Sequence, residues 1–478
     1  MLSRWKIDEK APPRRSSAFA PRSPAIWDAV SRPMFYAQRA RVRKSNVLRL
    51  MDSLCQRRHR SSQKQSKTIM FKKSPLAPSR FPATAPVPGV RVSGIAAGLK
   101  ESGRPDLFLA VLAKGSSIAG VFTKSKCSSA PVDWCRSILK HGKIRGLIVN
   151  SGNANAFTGH AGNKTVEHTV AAAAKRLGCR RNEIYVASTG VIGVPVAEDY
   201  IAAKLPDVAR KLGKAKWADA AAAIMTTDTF PKAAMRKIAI GKTQVTLVGV
   251  AKGSGMIAPD MATMLSFIFT DAKIPAPVLQ RLLKDAADRS FNSITVDSDT
   301  STSDTMLLAA TGQAKHPRVT GVGDKHLKAF RVALREIAID LATQVVRDGE
   351  GAQKFVTIDI SGAESAAAAR RIGLAVANSP LVKTAIAGGD PNWGRIVMAV
   401  GKAGEKADRD RMSIGMGGVP ITVEGQLVDG YDESVTGKHM ARRDISISVD
   451  VGVGRGKARV WTCDLTHDYI EINADYRT

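Results

Sequence analysis

The stretch Ile445-Ser446-Ile447-Ser448-Val449-Asp450-Val451-Gly452-Val453 repeats with a period of two. Successive side chains leave a strand on opposite faces, so Ile445, Ile447, Val449, Val451 and Val453 share one face and Ser446, Ser448 and Asp450 the other. This predicts a half-buried strand. Gly454-Arg455-Gly456 then predicts a turn into a second strand through Val460 and Trp461, with antiparallel pairing between the two.

Upstream the pattern changes. G-L-I-V-N-S-G at Gly146 to Gly152 and E-I-Y-V-A-S-T at Glu183 to Thr189 read as buried strands that end in polar loops. Between them Val166, Val170 and Leu177 fall on one face of a helix. The longest helix is expected where Leu327, Phe330, Leu334, Ile337, Leu341 and Val345 recur at intervals of three and four. Half-buried strands, buried strands and amphipathic helices together indicate α+β layering, not a doubly wound nucleotide fold. No internal repeat and no Pro-, Gly- or Ser-rich linker divides the chain after residue 70.

With 478 residues, 44% hydrophobic and 24% charged, the chain has enough apolar content for one large core or two ordinary ones. It contains no apolar run long enough for a membrane span and no secretory signal pattern, so an intracellular protein is expected. Cys55, Cys127, Cys135, Cys179 and Cys463 lack C-x-x-C spacing, and the histidines show no H-E-x-x-H, which argues against a metal enzyme. The formal charge of +30 is concentrated before Met70, in Arg14-Arg15, Arg41 to Lys44, and Arg57, Arg58 and Arg60. Residues 1–69 are therefore expected to be a disordered basic extension. A start placed too far upstream is favoured over a transit segment or a basic arm, because Met70 is followed at once by the proline-punctuated F-K-K-S-P-L-A-P-S-R-F-P; against an arm for nucleic acid, no stacking aromatics interleave with the charges.

The chemistry gathers in A-K-G-S-G-M-I-A-P-D-M-A-T-M-L, Ala251 to Leu265, a polar loop between two apolar strands (Val245, Leu247, Val248, Val250; then Leu265, Phe267, Ile268, Phe269). Neither G-x-x-x-x-G-K-[ST] nor G-x-G-x-x-G is present, so a phosphate cradle fits poorly. This loop resembles the signature of the bifunctional ornithine acetyltransferase and glutamate N-acetyltransferase family. So, in order, do N-S-G-N-A-N-A (Asn150 to Ala156), A-S-T-G-V-I-G (Ala187 to Gly193), M-T-T-D-T (Met225 to Thr229), D-G-E-G-A (Asp348 to Ala352), D-P-N-W-G-R (Asp390 to Arg395) and the terminal N-A-D-Y-R-T. The resemblance covers Ser74 to Thr478.

It implies an αββα-type layered fold of the ornithine acetyltransferase and DmpA-like class, and a chain that cuts itself between Ala262 and Thr263. The products would be an α chain of residues 70–262 and a β chain of residues 263–478, interlocked in one catalytic unit and assembled as a heterotetramer of two each. Thr263 is then the nucleophile. A hydroxyl is a poor nucleophile at neutral pH, but the freed α-amine, with an unperturbed pKa of roughly 7.7–8.0, supplies the base, and a cation such as Lys252 would lower that pKa further.

The same resemblance assigns Thr189 and Gly190 to an oxyanion hole. Substrate contacts fall to Thr226, Lys252, Thr263, Glu350, Asn473 and Thr478, where Lys252 suits a carboxylate and Glu350 a cationic amine. The implied reaction moves acetyl from N-acetylornithine to glutamate, giving ornithine and N-acetylglutamate without a cofactor. Acetyl-CoA is a candidate co-substrate. A cytoplasmic location is expected, or the mitochondrial matrix in a eukaryote.

Two alternatives stand against this reading. One is a related self-cleaving amidase or aminopeptidase, and the other a basic nucleic-acid-binding protein on an inactive scaffold. D-S-D-T-S-T-S-D, Asp297 to Asp304, begins like a calcium loop, but Thr302 stands where the turn needs Gly, so a locally capped turn is expected there. D-P-N-W-G-R is given a supporting role.

Overall fold

The computed structural model describes residues 72–214, 216–258 and 264–474. In chain order the first strands are β1 Val90–Ile95, β2 Leu107–Leu112, β3 Ser117–Phe122, β4 Gly146–Asn153, β5 Ile184–Val191, β6 Lys232–Ile240, β7 Thr243–Lys252, β8 Leu265–Thr270 and β9 Thr305–Ala310. They form two sheets, with orders β1-β2-β4-β5 and β3-β9-β8-β7-β6.

The two sheets pack face to face. Every residue of β2 and of β8 is buried, and the Phe108 and Phe267 rings stack between the sheets with centroids 6.2 Å apart. Leu107, Val149 and Val186 of one sheet share a core with Val248, Val250 and Leu307 of the other. Burying each such side chain is worth about 1.5–3 kcal/mol, so this interior is the main source of stability in the layer pair. Helices Ala130–Ile138 and Gly159–Leu177 cover the four-stranded sheet, and Gly159–Leu177 carries Val166 and Val170 inward. The outer face of the five-stranded sheet lies under helices Ala276–Asp288 and Lys328–Arg347. The latter places Phe330, Leu334, Ile337, Leu341 and Val345 in the core, as their spacing predicts. The order of layers is α, β, β, α.

The remaining strands, β10 Phe355–Ala363, β11 Ser413–Met416, β12 Val419–Val423, β13 Gln426–Leu427, β14 Asp444–Asp450 and β15 Gly456–Cys463, make a third sheet in the order β13-β12-β11-β14-β10-β15. Helix Ala366–Ala377 covers it through Ile372 and Val376, which pack against Ile360, Ile447 and Val460. Strand β14 has the expected faces: Ile445, Ile447 and Val449 are buried, and Ser446 and Ser448 exposed.

The pairing differs from expectation. β14 and β15 are not neighbours, because β10 lies between them, parallel to β14 and antiparallel to β15. Gly454 and Gly456 serve a crossover over the end of β10 and not a tight hairpin. Val453 and Gly454 donate backbone bonds to Gly362 O, and a Cβ on Gly456 would sit 2.3 Å from the Ser365 carbonyl carbon. Val453 is exposed, beyond the strand. No helix among the described residues is long and apolar enough to cross a membrane.

Candidate active site

Strand register sets the site. Lys252, the last residue of β7, pairs with Leu265, the first of β8, and Leu265 pairs with Thr305, the first of β9. The glycine-rich loop therefore leaves and re-enters the sheet at one end of its central strands. The end of β5, in the facing sheet, meets it there: Lys252 Nζ donates to Thr189 Oγ1 at 3.0 Å, with both residues buried.

That bond has a chemical consequence. The ammonium occupies an acceptor position on the Thr189 hydroxyl, leaving the hydroxyl proton to be donated elsewhere and polarising it. Burial pushes the Lys252 ammonium below its ordinary pKa, and Lys232 adds to this; the charges of Asp228, Asp304 and Glu350 pull it back.

Gly190 is held in a conformation glycine alone tolerates well, at φ +133°, and a Cβ there would lie 2.3 Å from the carbonyl carbon of Gly152. Gly152 belongs to N-S-G-N-A-N-A, whose side chains brace the S-T-G turn. Ser188 Oγ donates to Asn150 Oδ1 at 2.5 Å, Asn150 Nδ2 to Asn153 O at 2.9 Å, and Asn153 Nδ2 to Val194 O at 2.8 Å. Gly190→Ala should therefore displace the turn against backbone, not against a yielding side chain. The expected result is a folded protein slower by roughly a hundredfold to a thousandfold, as loss of one oxyanion donor gives. Unchanged turnover in a steady-state assay would remove Gly190 from the site.

M-T-T-D-T supplies the opposite wall. Asp228 Oδ2 accepts the Thr226 N–H at 2.9 Å, while its Oδ1 accepts Gly253 N–H at 2.7 Å and Lys232 Nζ at 2.6 Å. Lys232 Nζ also donates to Asp348 Oδ2 at 2.5 Å, and all three side chains are fully buried. Asp348 in turn accepts the Thr229 N–H at 3.0 Å. One buried ammonium thus ties the M-T-T-D-T loop, the start of the glycine-rich loop and the D-G-E-G-A turn into one body. Burial opposes ionisation of Asp228, but Lys232, Lys252 and the Gly253 amide hold its carboxyl well below the usual carboxylate range. Burial pushes Asp348 up to about 6 despite Lys232.

D-G-E-G-A brings Glu350 into place. Its N–H donates to Ser254 O at 3.1 Å, and Oε2 accepts Asn473 Nδ2 at 2.9 Å from helix His467–Ala474. Of the residues assigned from sequence, Thr189, Gly190, Thr226, Lys252, Glu350 and Asn473 are thus linked through the loops at one end of the central strands. Ala262, Thr263 and Thr478 lie outside the described residues. Met264, the residue after Thr263 in the chain, is at that end, where its carbonyl accepts the Thr305 N–H at 3.1 Å.

The sequence reading missed four residues. The sequence assigns no role to Lys232 or Asp348, and for Asp297 and Asp304 it predicts only a locally capped turn. Asp297 accepts Met256 N–H at 2.6 Å and Ile257 N–H at 2.8 Å, and Asp304 Oδ1 accepts Met264 N–H at 2.7 Å. The two aspartates hold the glycine-rich loop at Met256–Ile257 and at Met264, and Asp228 holds its start at Gly253. The expected local capping is also present, with Asp299 N–H donating to Asp297 and Ser303 N–H to Ser301. Burial pushes Asp297 up to about 6 against those amide bonds. D-P-N-W-G-R is structural: Asn392 Oδ1 caps helix Trp393–Gly401 through Arg395 N–H, and Arg395 Nη1 donates to Leu381 O at 2.7 Å. Among the described residues no group of acidic, His and Cys side chains is placed to hold a metal ion.

A threonine hydroxyl polarised by lysine on a glycine turn, with a buried carboxylate nearby, suits the class of enzymes that transfer acyl groups. The model of the ArgJ family matches residues 91–478, and the chain belongs to the ArgJ family. It is 54% identical over 408 residues to the arginine biosynthesis bifunctional protein ArgJ of Brucella suis biovar 1 (strain 1330), covering 85% of this chain and 99% of that one. It is 55% identical over 408 residues to the protein of that name from Mesorhizobium japonicum, with the same shares covered. A crystal structure of arginine biosynthesis bifunctional protein argJ from Bacillus halodurans matches at 38% identity and a TM-score of 0.43, covering 45% of this chain and 100% of that one.

Proposed function

We propose that the chain works in arginine biosynthesis by acetyl exchange, taking acetyl from N-acetylornithine onto Thr263 and passing it to glutamate. The observation that carries the reading is the bond from Lys252 Nζ to Thr189 Oγ1, which puts a polarised donor at the strand end where Lys252 pairs with Leu265, two residues after Thr263 in the chain.

In the first half-reaction the Thr263 hydroxyl attacks the acetyl carbonyl and its proton passes to the α-amine of the same residue. Negative charge grows on the carbonyl oxygen, where Thr189 and Gly190 stabilise it in a water-poor site. The proton then goes to the leaving amine of ornithine. In the second half glutamate's amine attacks the acetyl ester by the reverse route. Lys252 suits the carboxylate that ornithine and glutamate share, and Glu350 suits ornithine's side-chain ammonium. Glutamate lacks that cation, so Glu350 contributes to holding N-acetylornithine and not to holding glutamate. Acetyl-CoA is a candidate second donor to the same threonine. The cut α and β chains are proposed to assemble as a heterotetramer of two each.

Steady-state kinetics test the exchange. With N-acetylornithine and glutamate varied together, double-reciprocal lines should be parallel, with ornithine and N-acetylglutamate formed in equal amounts. Acetate released as fast as ornithine whether or not glutamate is present would instead make the protein an amidase.

A further inference from the structure

Ornithine carries one carboxylate and two amines, whereas glutamate carries two carboxylates and one amine. Lys252 suits the carboxylate they share, and Glu350 suits the extra amine. Glutamate's second carboxylate is left without a cation among the residues assigned so far.

The loop from β1 to β2 brings two. Asp106, fully buried at its end, gathers four successive backbone amides: Oδ1 accepts the Ala97 N–H at 2.5 Å, and Oδ2 accepts those of Gly98 at 3.0 Å, Leu99 at 2.7 Å and Lys100 at 3.0 Å. Its carbonyl accepts the Ser151 N–H at 2.8 Å, and Tyr200 Oη donates to Ala97 O at 2.9 Å. One carboxylate wrapped in amides thus fixes the loop against the end of β4. Lys100 comes to lie beside Gly152, the glycine that Gly190 crowds: a Cβ on Gly152 would be 3.1 Å from Lys100 Cγ and 2.9 Å from Leu99 O. Arg104 reaches the opposite wall of the site, where Nη2 donates to Thr226 O at 3.0 Å.

These cations are poorly balanced. Lys100 Nζ donates to Pro105 O at 2.8 Å, one bond for three donors, and Arg104 bonds Thr226 O and Ser102 Oγ. Neither has a carboxylate as ion-pair partner among the described residues. Asp106 is taken up by the loop amides, Asp228 by Lys232 and the Gly253 amide, and Glu101 is exposed. Burial, Arg104 and Lys252 pull Lys100 down to about 8 against Asp106 and Asp228. An anion bound between Lys100 and Arg104 would remove that conflict.

We infer that Lys100 and Arg104 hold the second carboxylate of the acceptor amino acid, and so make this site specific for a dicarboxylic acceptor. The inference rests on the acetyl-exchange reading above. A side-chain ammonium meets repulsion from the same two cations, so the pair separates glutamate from ornithine by the sign of charge. Donor and acceptor then share the Lys252 end of the site and part at their side chains, one toward Glu350 and the other toward the β1–β2 loop.

Lys100→Met keeps the stem beside Gly152 and removes only the charge, and Arg104→Gln keeps a donor for Thr226 O. Each should raise the KM for glutamate roughly tenfold to a hundredfold, the worth of one hydrogen bond to a charged group, while the KM for N-acetylornithine moves far less. The wild-type preference for glutamate over glutamine as acetyl acceptor should collapse in the double variant, because glutamine presents no second negative charge. A merely structural loop would weaken both acceptors alike. Lys100→Arg should restore much of the preference. Folded K100M and R104Q with the wild-type glutamate KM and preference would overturn the inference, and exchange by the wild-type protein beside them would leave the reaction standing. Variants that lose only the use of acetyl-CoA would overturn it too, assigning the cations to phosphate groups. Should K100M show no melting transition, R104Q, whose side chain is exposed, decides by the same readouts. Wild-type protein that yields acetate and no N-acetylglutamate would end the exchange reading and this inference together.

Discussion

Thr263→Ala should leave one uncut chain with no measurable acetyl exchange. On the proposed mechanism the hydroxyl is needed twice, first to attack the Ala262 carbonyl and then to carry acetyl, and the α-amine proposed as base appears only after the first attack. Removing one oxygen therefore removes nucleophile and base together, and losses of several orders of magnitude in kcat follow removal of a covalent nucleophile. Thr263→Ser, which keeps the hydroxyl, should still cut. Intact mass and a gel of purified protein report the chain state, and the exchange assay reports the rate. An uncut T263A with full activity would contradict the mechanism.

Lys232→Met should cost about 3–5 kcal/mol of stability at neutral pH, the usual result of removing one partner from a buried ion pair. Methionine fills a similar volume, so the loss is electrostatic: Asp228 and Asp348 would be left as buried carboxylates with the Lys232 cation gone. In the native protein the Asp228 carboxyl lies well below the ordinary carboxylate range, so its contribution is present above that range and lost as pH falls through the folded value. Asp348 has the opposite sign: its raised value near 6 gives stability at acid pH that is lost as pH rises through 6. In the variant both carboxylates become hard to ionise. The destabilisation should therefore shrink as pH falls, because taking up a proton relieves it. Denaturant melts at several pH values would show this, and a loss independent of pH would mean that the triad acts through packing alone. Turnover should fall too, since Asp228 holds Thr226 and Gly253 in place.

Periodicity made the helix Lys328–Arg347 and the faces of β14 legible, because both follow from which side chains must leave water. It did not reveal that β10 slips between β14 and β15. Strand pairing across the chain depends on which edge a distant segment reaches, and Gly454-Arg455-Gly456 reads equally well as a hairpin turn or a crossover. The polar site was legible as motifs whose members proved to touch, as Lys252 and Thr189 do, or Asn473 and Glu350. Asp297 and Asp304 were not, because a carboxylate that accepts backbone amides from a segment some forty residues away has no local signature. Lys232 was hidden for the same reason. It looks like a surface lysine at the start of a strand until Asp348 arrives from the end of a helix to meet it.

The central claim is that acetyl passes through Thr263. Mixing the cut protein with N-acetylornithine alone, quenching in acid and weighing the chains should show the proposed β chain, beginning at Thr263, heavier by one acetyl group, with fragmentation placing that group on the threonine. Adding glutamate before the quench should remove it and yield an equal amount of N-acetylglutamate. A β chain that never gains the acetyl group while ornithine and N-acetylglutamate are still being formed would contradict the account.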